Sequence, residues 1–133
     1  RGNPRTMQRD TQYLDLIEEV YTFLECQIAA ARAAGIQNIM ADPGIGFGKS
    51  PEQCSALIRN LGKFKSLGVP LYIGASRKSF LGAITGVASS SDRMVESLAA
   101  VACAVRYGVE TVRVHDVEET VRFLRVLESI DNG

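Results

Sequence analysis

Val109-Glu110-Thr111-Val112-Arg113-Val114-His115-Asp116 follows Gly108, and its reading decides the fold. The β-branched residues favour a strand, and alternate side chains of a strand share a face. Val112 and Val114 therefore point one way, suited to a covering layer of helices. Thr111, Arg113 and His115 point the other. Asp116, with Glu119 three residues later, has the spacing of a helix capping box. In parallel α/β folds the C-terminal strand ends carry the active site. Two cationic donors on one face there point to an anionic ligand, most simply a phosphate. A structural ion pair with a capping histidine is the alternative.

Working upstream, Gly108 ends a helical pattern from about Asp92 to Tyr107, with Val95, Leu98, Ala99, Ala102 and Val105 as its stripe. Its alanines allow close packing against a sheet or a second subunit. Residues 71–75, opened by Pro70, read as another strand, followed by Ser76-Arg77-Lys78-Ser79-Phe80 and a short helical turn to Gly82. Residues 36–41 read as a buried strand ending in Asp42-Pro43-Gly44-Ile45-Gly46-Phe47-Gly48-Lys49. Between these strands Ser50 caps a helix, with Pro51 at the first position and Gln53 completing a capping box. Leu57, Leu61, Phe64 and Leu67 form its stripe, and Gly68 stops it. Ile17, Val20, Leu24, Ile28 and Ala31 mark a first long helix stopped by Gly35, and residues 1–8 are loop-like. Downstream of the opening strand, Val121, Leu124 and Leu127 mark a last helix from Val117 to about Ser129.

The order α-β-α-β-α-α-β-α implies parallel strands with right-handed crossovers. The 133 residues suffice for one domain with a core. Three strands cannot close a barrel, and eight take ~250 residues. The chain is therefore expected to be part of something larger, or a small open sheet. Fifteen basic and 15 acidic residues balance, which argues against nucleic acid as a partner. No apolar run approaches the roughly 20 residues of a membrane span. Cys26, Cys54 and Cys103 fit neither a zinc spacing nor a disulfide framework. They read as reduced, mostly buried small hydrophobes, which leads us to expect the cytoplasm.

Each strand ends in an unusual loop, and a parallel sheet puts all three on one rim. The glycines let backbone approach a ligand closely. Gly48-Lys49-Ser50 matches the end of a phosphate-binding P-loop, but the first glycine would have to be residue 43, which is Pro. Gly44, Gly46 and Gly48 also miss the dinucleotide spacing, so neither ATP nor NAD is expected. Asp42 could accept two N–H bonds from a planar heterocycle, or merely form a turn. Lys78 could neutralise an anion or stand in solvent. Phe47 could offer a ring face or anchor its loop. Lys49, just before a helix cap, is expected to reach solvent.

Asp42-Pro-Gly-Ile-Gly-Phe-Gly-Lys49, Gly74-Ala-Ser-Arg-Lys-Ser-Phe80 and Arg113-Val-His-Asp116 together resemble dihydropteroate synthase. The opening Arg1-Gly-Asn-Pro-Arg-Thr-Met-Gln8 looks like the segment after that family's fifth barrel strand. The resemblance implies the C-terminal portion of a (β/α)8 TIM barrel, with three parallel strands and covering helices, and residues 1–133 as part of one pterin-binding domain. It implies a transferase joining 6-hydroxymethyl-7,8-dihydropterin diphosphate to 4-aminobenzoate with release of diphosphate. Asp42 would hold the pterin ring, Phe47 and Ser79 would meet the aminobenzoate, and Gly46 would be a further substrate-binding residue. Lys78 would touch both substrates, and Arg113 and His115 would grip diphosphate, the last three as catalytic residues. The resemblance also implies Mg2+ with its protein ligand outside this chain, a homodimer, a place in the enzyme class that sulfonamides target, and an inactive fragment when the first five strands are missing. A pterin-binding methyltransferase domain and a non-catalytic truncated barrel are the competing readings.

Overall fold

A computed structural model of the chain describes residues 13–131. The expected loop over residues 1–8 lies outside them. In chain order the elements are α1 (Leu16–Ala33), α2 (Pro51–Arg59), α3 (Leu61–Phe64), a 3-10 turn (Lys65–Leu67), β1 (Tyr72–Ile73), α4 (Ser79–Thr85), a second 3-10 turn (Ser90–Asp92), α5 (Met94–Arg106), β2 (Thr111–Val112) and α6 (Val117–Asp131).

The strands are parallel, with Tyr72 opposite Thr111 and Ile73 opposite Val112. The expected strand over residues 36–41 contracts to a single parallel bridge, Ala41 to Leu71. Its neighbours Ile36 and Met40 are exposed, and no strand among the described residues pairs with its other edge. Still, Ala41 N donates to Pro70 O and Tyr72 N to Ala41 O, each at 2.9 Å. The three extended segments therefore run side by side in chain order. Leu71, Ile73 and Ala75 enter the core with Leu57, Leu61, Phe64 and α1's Val20, Leu24 and Ile28. Tyr72, Gly74 and Ser76 face the other way.

Several helix ends form where local signals place them. Asp15 caps α1 through the amides of Ile17 and Glu18. Gly35 (φ +86) ends it in a Schellman motif, with Ile36 N donating to Ala31 O and Gly35 N to Arg32 O. Gly108 ends α5 the same way through Val105 O and Ala104 O. The capping box of Ser50 and Gln53 is present.

Three differences have physical causes. The helix expected to run from Ser50 to Gly68 breaks at Asn60 (φ −106), whose side chain donates to Ala56 O at 2.8 Å and closes α2. On α5 the expected stripe is rotated: Ser97, Ala100, Val101 and Ala104 are buried, while Val95 is 70% exposed. The smallest residues face inward because α5 packs closely on α2 and α4. On α6 the buried residue is Thr120, and Val121 is exposed. The Thr120 hydroxyl donates back to Asp116 O at 2.7 Å, so this polar side chain is buried with its bond made.

Candidate active site

The parallel register places the rim residues. Tyr72 stands opposite Thr111, so continuing two residues puts Gly74 beside Arg113, and two more put Ser76 beside His115. The contacts follow that count. A Cβ on Gly74 would lie 3.1 Å from both Nε and Nη2 of Arg113, so the guanidinium lies flat against a position kept bare. Arg113 N donates to Ile73 O at 2.8 Å. Ser76, nearly buried, has its Oγ 2.9 Å from His115 Nδ1 and accepts the His115 amide at 3.1 Å. The bridge of Ala41 to Leu71 puts Asp42 on the same face as Tyr72 and Thr111.

Gly74, Ser76, Arg77, Lys78, Arg113 and His115 line one cleft of 520 Å³. Asp42 and Phe47 line a second hollow, of 290 Å³, against α1. Lys78 joins them. Its ammonium donates to Ile45 O and sits 4.1 Å from the centre of the Phe47 ring. Burial pushes the Lys78 ammonium below its usual range, offset in part by Asp42 and reinforced by Arg113. Gly46 (φ +82) makes this crossing possible, since a Cβ there would meet Lys78 Cδ at 2.6 Å. Asp42 turns one carboxylate oxygen to Gly44 N at 2.8 Å, the turn-forming use weighed above. Ser79 opens α4 on the same rim and is exposed.

Two side chains behave differently from expectation. Lys49 folds back instead of reaching solvent, donating to Gly44 O and Phe47 O, both at 3.0 Å. Burial lowers its ammonium below the usual range. Asp116, read as half of a capping box, accepts with its two carboxylate oxygens from Nε and Nη2 along one edge of the Arg77 guanidinium. Arg77 in return holds that carboxyl below the usual carboxylate range.

Arg77 itself was not read as functional. Its backbone sits at φ +58, a left-handed conformation unusual for a non-glycine residue. Its N–H donates to the buried Ser97 Oγ at 2.9 Å, and its C=O accepts from Arg93 Nη1 at 3.0 Å. Arg93 also holds Val87 O and Ala88 O. This clasp welds the loop after β1 to the loop after β2 and to α5. No periodicity or spacing announces it, because its partners are far apart in the chain.

The family profile described as pterin binding enzyme matches residues 1–115. The chain belongs to the pterin-binding enzymes. Among relatives of the chain, the dihydropteroate synthase of Synechocystis is 42% identical over 132 residues, covering 98% of the chain and 46% of the relative. That of Escherichia coli is 40% identical over 131 residues, covering 97% and 46%. Thermus thermophilus dihydropteroate synthase in complex with 4-aminobenzoate superposes with a TM-score of 0.93 at 41% identity, covering 96% of this chain and 52% of that one. The chain thus spans about half the length of the curated relatives it matches.

No helix among the described residues is long and apolar enough to cross a membrane. Of the cysteines only Cys54 is buried, accepting Gly46 N at 3.2 Å, whereas Cys26 and Cys103 are exposed. The expectation of mostly buried cysteines fails: Cys103 lies with Ala99 and Ala100 at an open hollow between α5, α2 and α4.

Proposed function

We propose that this chain is the C-terminal portion of a (β/α)8 barrel, part of one pterin-binding domain. In the complete protein it serves a dihydropteroate synthase, a cytoplasmic transferase of folate synthesis whose class is the sulfonamide target. The observation that carries this reading is the pairing of Gly74 with Arg113 and Ser76 with His115, which gathers cationic donors in one cleft with Lys78. A methyl-transferring relative has no diphosphate to hold there, and a non-catalytic module needs no such cluster. Four similar solved structures bear on the chemistry: Thermus thermophilus synthase bound to 4-aminobenzoate or to 6HMPPP, a Yersinia pestis synthase with a sulfonamide drug, and a Xanthomonas albilineans enzyme with 7,8-dihydropteroate.

In this reading Asp42 and Gly46 hold the pterin side and Phe47 packs on the aminobenzoate ring. Ser79 lies near the aminobenzoate carboxylate, and Lys78 stands between the two substrates. Arg113 and His115 bind the diphosphate. The C–O bond to diphosphate breaks and its electron pair leaves with the diphosphate. The amine lone pair then forms the C–N bond at the pterin methylene, and the nitrogen loses a proton. Arg113 and His115 act by stabilising the charge that grows on the leaving group.

The rim does not by itself suit a magnesium ion. Asp42 is its carboxylate and is partly committed to a turn, while the cleft residues are cationic. Among the described residues no three His, Cys, Asp or Glu side chains cluster to hold a metal. The complete protein is proposed to be a homodimer, which the exposed Val95 of α5 and Val126 of α6 would suit.

Calorimetric titration of the full chain with inorganic diphosphate tests the reading. Binding that Arg113→Ala weakens by about tenfold or more is the expected result, since a hydrogen bond to a charged group contributes roughly 1.5–3 kcal/mol. Unchanged binding in Arg113→Ala would remove its basis.

A further inference from the structure

Ser76 and His115 meet where the two strands give way to their loops, and their contact decides which ring nitrogen carries the proton. Ser76 is 7% exposed. Its Oγ accepts the His115 amide at 3.1 Å and lies 2.9 Å from Nδ1. A hydroxyl has one proton and two lone pairs. With one lone pair committed to the amide, the proton still needs an acceptor, and among the described residues this hydroxyl has no third partner. If Nδ1 donated, the hydroxyl proton would be left unmade in a nearly buried place, which is costly. If Nδ1 accepts, the amide, the hydroxyl and the ring are all satisfied.

We infer that Ser76 is a positioning residue that fixes neutral His115 as its Nε2–H tautomer. The ring then offers the cleft a hydrogen-bond donor for an anion without first becoming imidazolium. The charged groups around the ring are Arg113, Lys78 and Arg77 along the same cleft, and Asp116, whose carboxylate is engaged by Arg77. Arg113 and Arg77 supply permanent positive charge along the cleft. A neutral donor beside them adds a directed bond at no cost in like-charge repulsion. The role in anion binding rests on the diphosphate reading above; the tautomer does not.

The chain has a single histidine, so its imidazole nitrogens give one unambiguous pair of 15N resonances. At about pH 8.5, where a free imidazole is neutral, the full chain is expected to show a protonated Nε2 and an unprotonated Nδ1. A protonated Nδ1 in the neutral ring overturns the inference, and this reading needs no variant. Inorganic diphosphate is then titrated into wild type, Ser76→Ala and Ser76→Thr. Ser76→Ala should bind about three- to tenfold more weakly at about pH 8.5, yet nearly as well as wild type at the acid pH where the 15N spectrum shows both ring nitrogens protonated. Ser76→Thr, which keeps the hydroxyl, should restore the alkaline affinity. An equal loss at both pH values would mark Ser76 as merely structural and overturn the inference. An Nε2–H ring that no concentration of diphosphate perturbs would uphold the tautomer and bring down the diphosphate reading instead.

Discussion

Gly74 and Arg113 show how one missing atom shapes the rim. The guanidinium rests on backbone that any side chain would fill. Gly74→Ala should lift Arg113 by a few tenths of an ångström, because the neighbour it meets is a flexible side chain. The expected result is a loss of about three- to tenfold in diphosphate affinity with little change in the urea midpoint, read by calorimetry and denaturation on one sample. A lower midpoint with unchanged affinity would separate Gly74 from the site. Lys49 belongs to the same scale. Its ammonium closes the glycine loop on two carbonyls, so Lys49→Ala should destabilise the chain by about 1–3 kcal/mol in urea melts. A side chain free in solvent would cost within about 0.5 kcal/mol, which is what the sequence alone suggested for it.

At the level of elements, two loops and one helix carry the consequences. The Arg77–Asp116 pair ties the loop bearing Lys78 to the loop bearing His115. Asp116 has a depressed carboxyl, so its contribution is present above the ordinary carboxylate value of about 3.9 and is lost as pH falls through the lowered one. Asp116→Asn should therefore be less stable than wild type from about pH 5 upward. The two proteins should converge in strong acid, as followed by circular dichroism across an acid titration. A pH-independent gap would assign the loss to packing. For α5, Ala104→Leu should cost about 1–3 kcal/mol by overpacking a fully buried position. Val95→Ala on the exposed side should stay within about 0.5 kcal/mol. The reverse order would restore the stripe read from spacing. What was legible here was local: Gly35 and Gly108 as helix stops, Ser50-Pro51 as a start, and alternation that put Arg113 and His115 on one face. The burial of α5 was not legible. Its pattern of small residues satisfies two helical faces equally well, and only the packing of α5 on α2 and α4 selects Ala100 and Ala104 over Val95. The clasp of Arg77, Arg93, Ser97 and Asp116 was hidden for a related reason. Three of its links span 16 to 39 residues, and a left-handed arginine carries no mark in the sequence.

For the whole molecule, the exposed apolar residues and the half-length match point the same way. Val117, Val121, Val126 and Ile130 of α6 lie exposed, as do Ile36 and Met40 beside the first extended segment. Solvent-facing apolar residues at these outer elements are what partners would cover. On its own the 133-residue chain should give no turnover, since closure and half of the substrate contacts implied by the resemblance are missing. The most direct measurement joins it to what it lacks. The chain is spliced in place of the matching half of the Escherichia coli synthase, and diphosphate release is followed with pterin diphosphate and 4-aminobenzoate. The account predicts release that requires both substrates and falls about 10- to 1,000-fold in kcat/KM when Arg113 is changed to Ala. A folded, soluble hybrid that releases no diphosphate, or whose activity ignores Arg113, would contradict it.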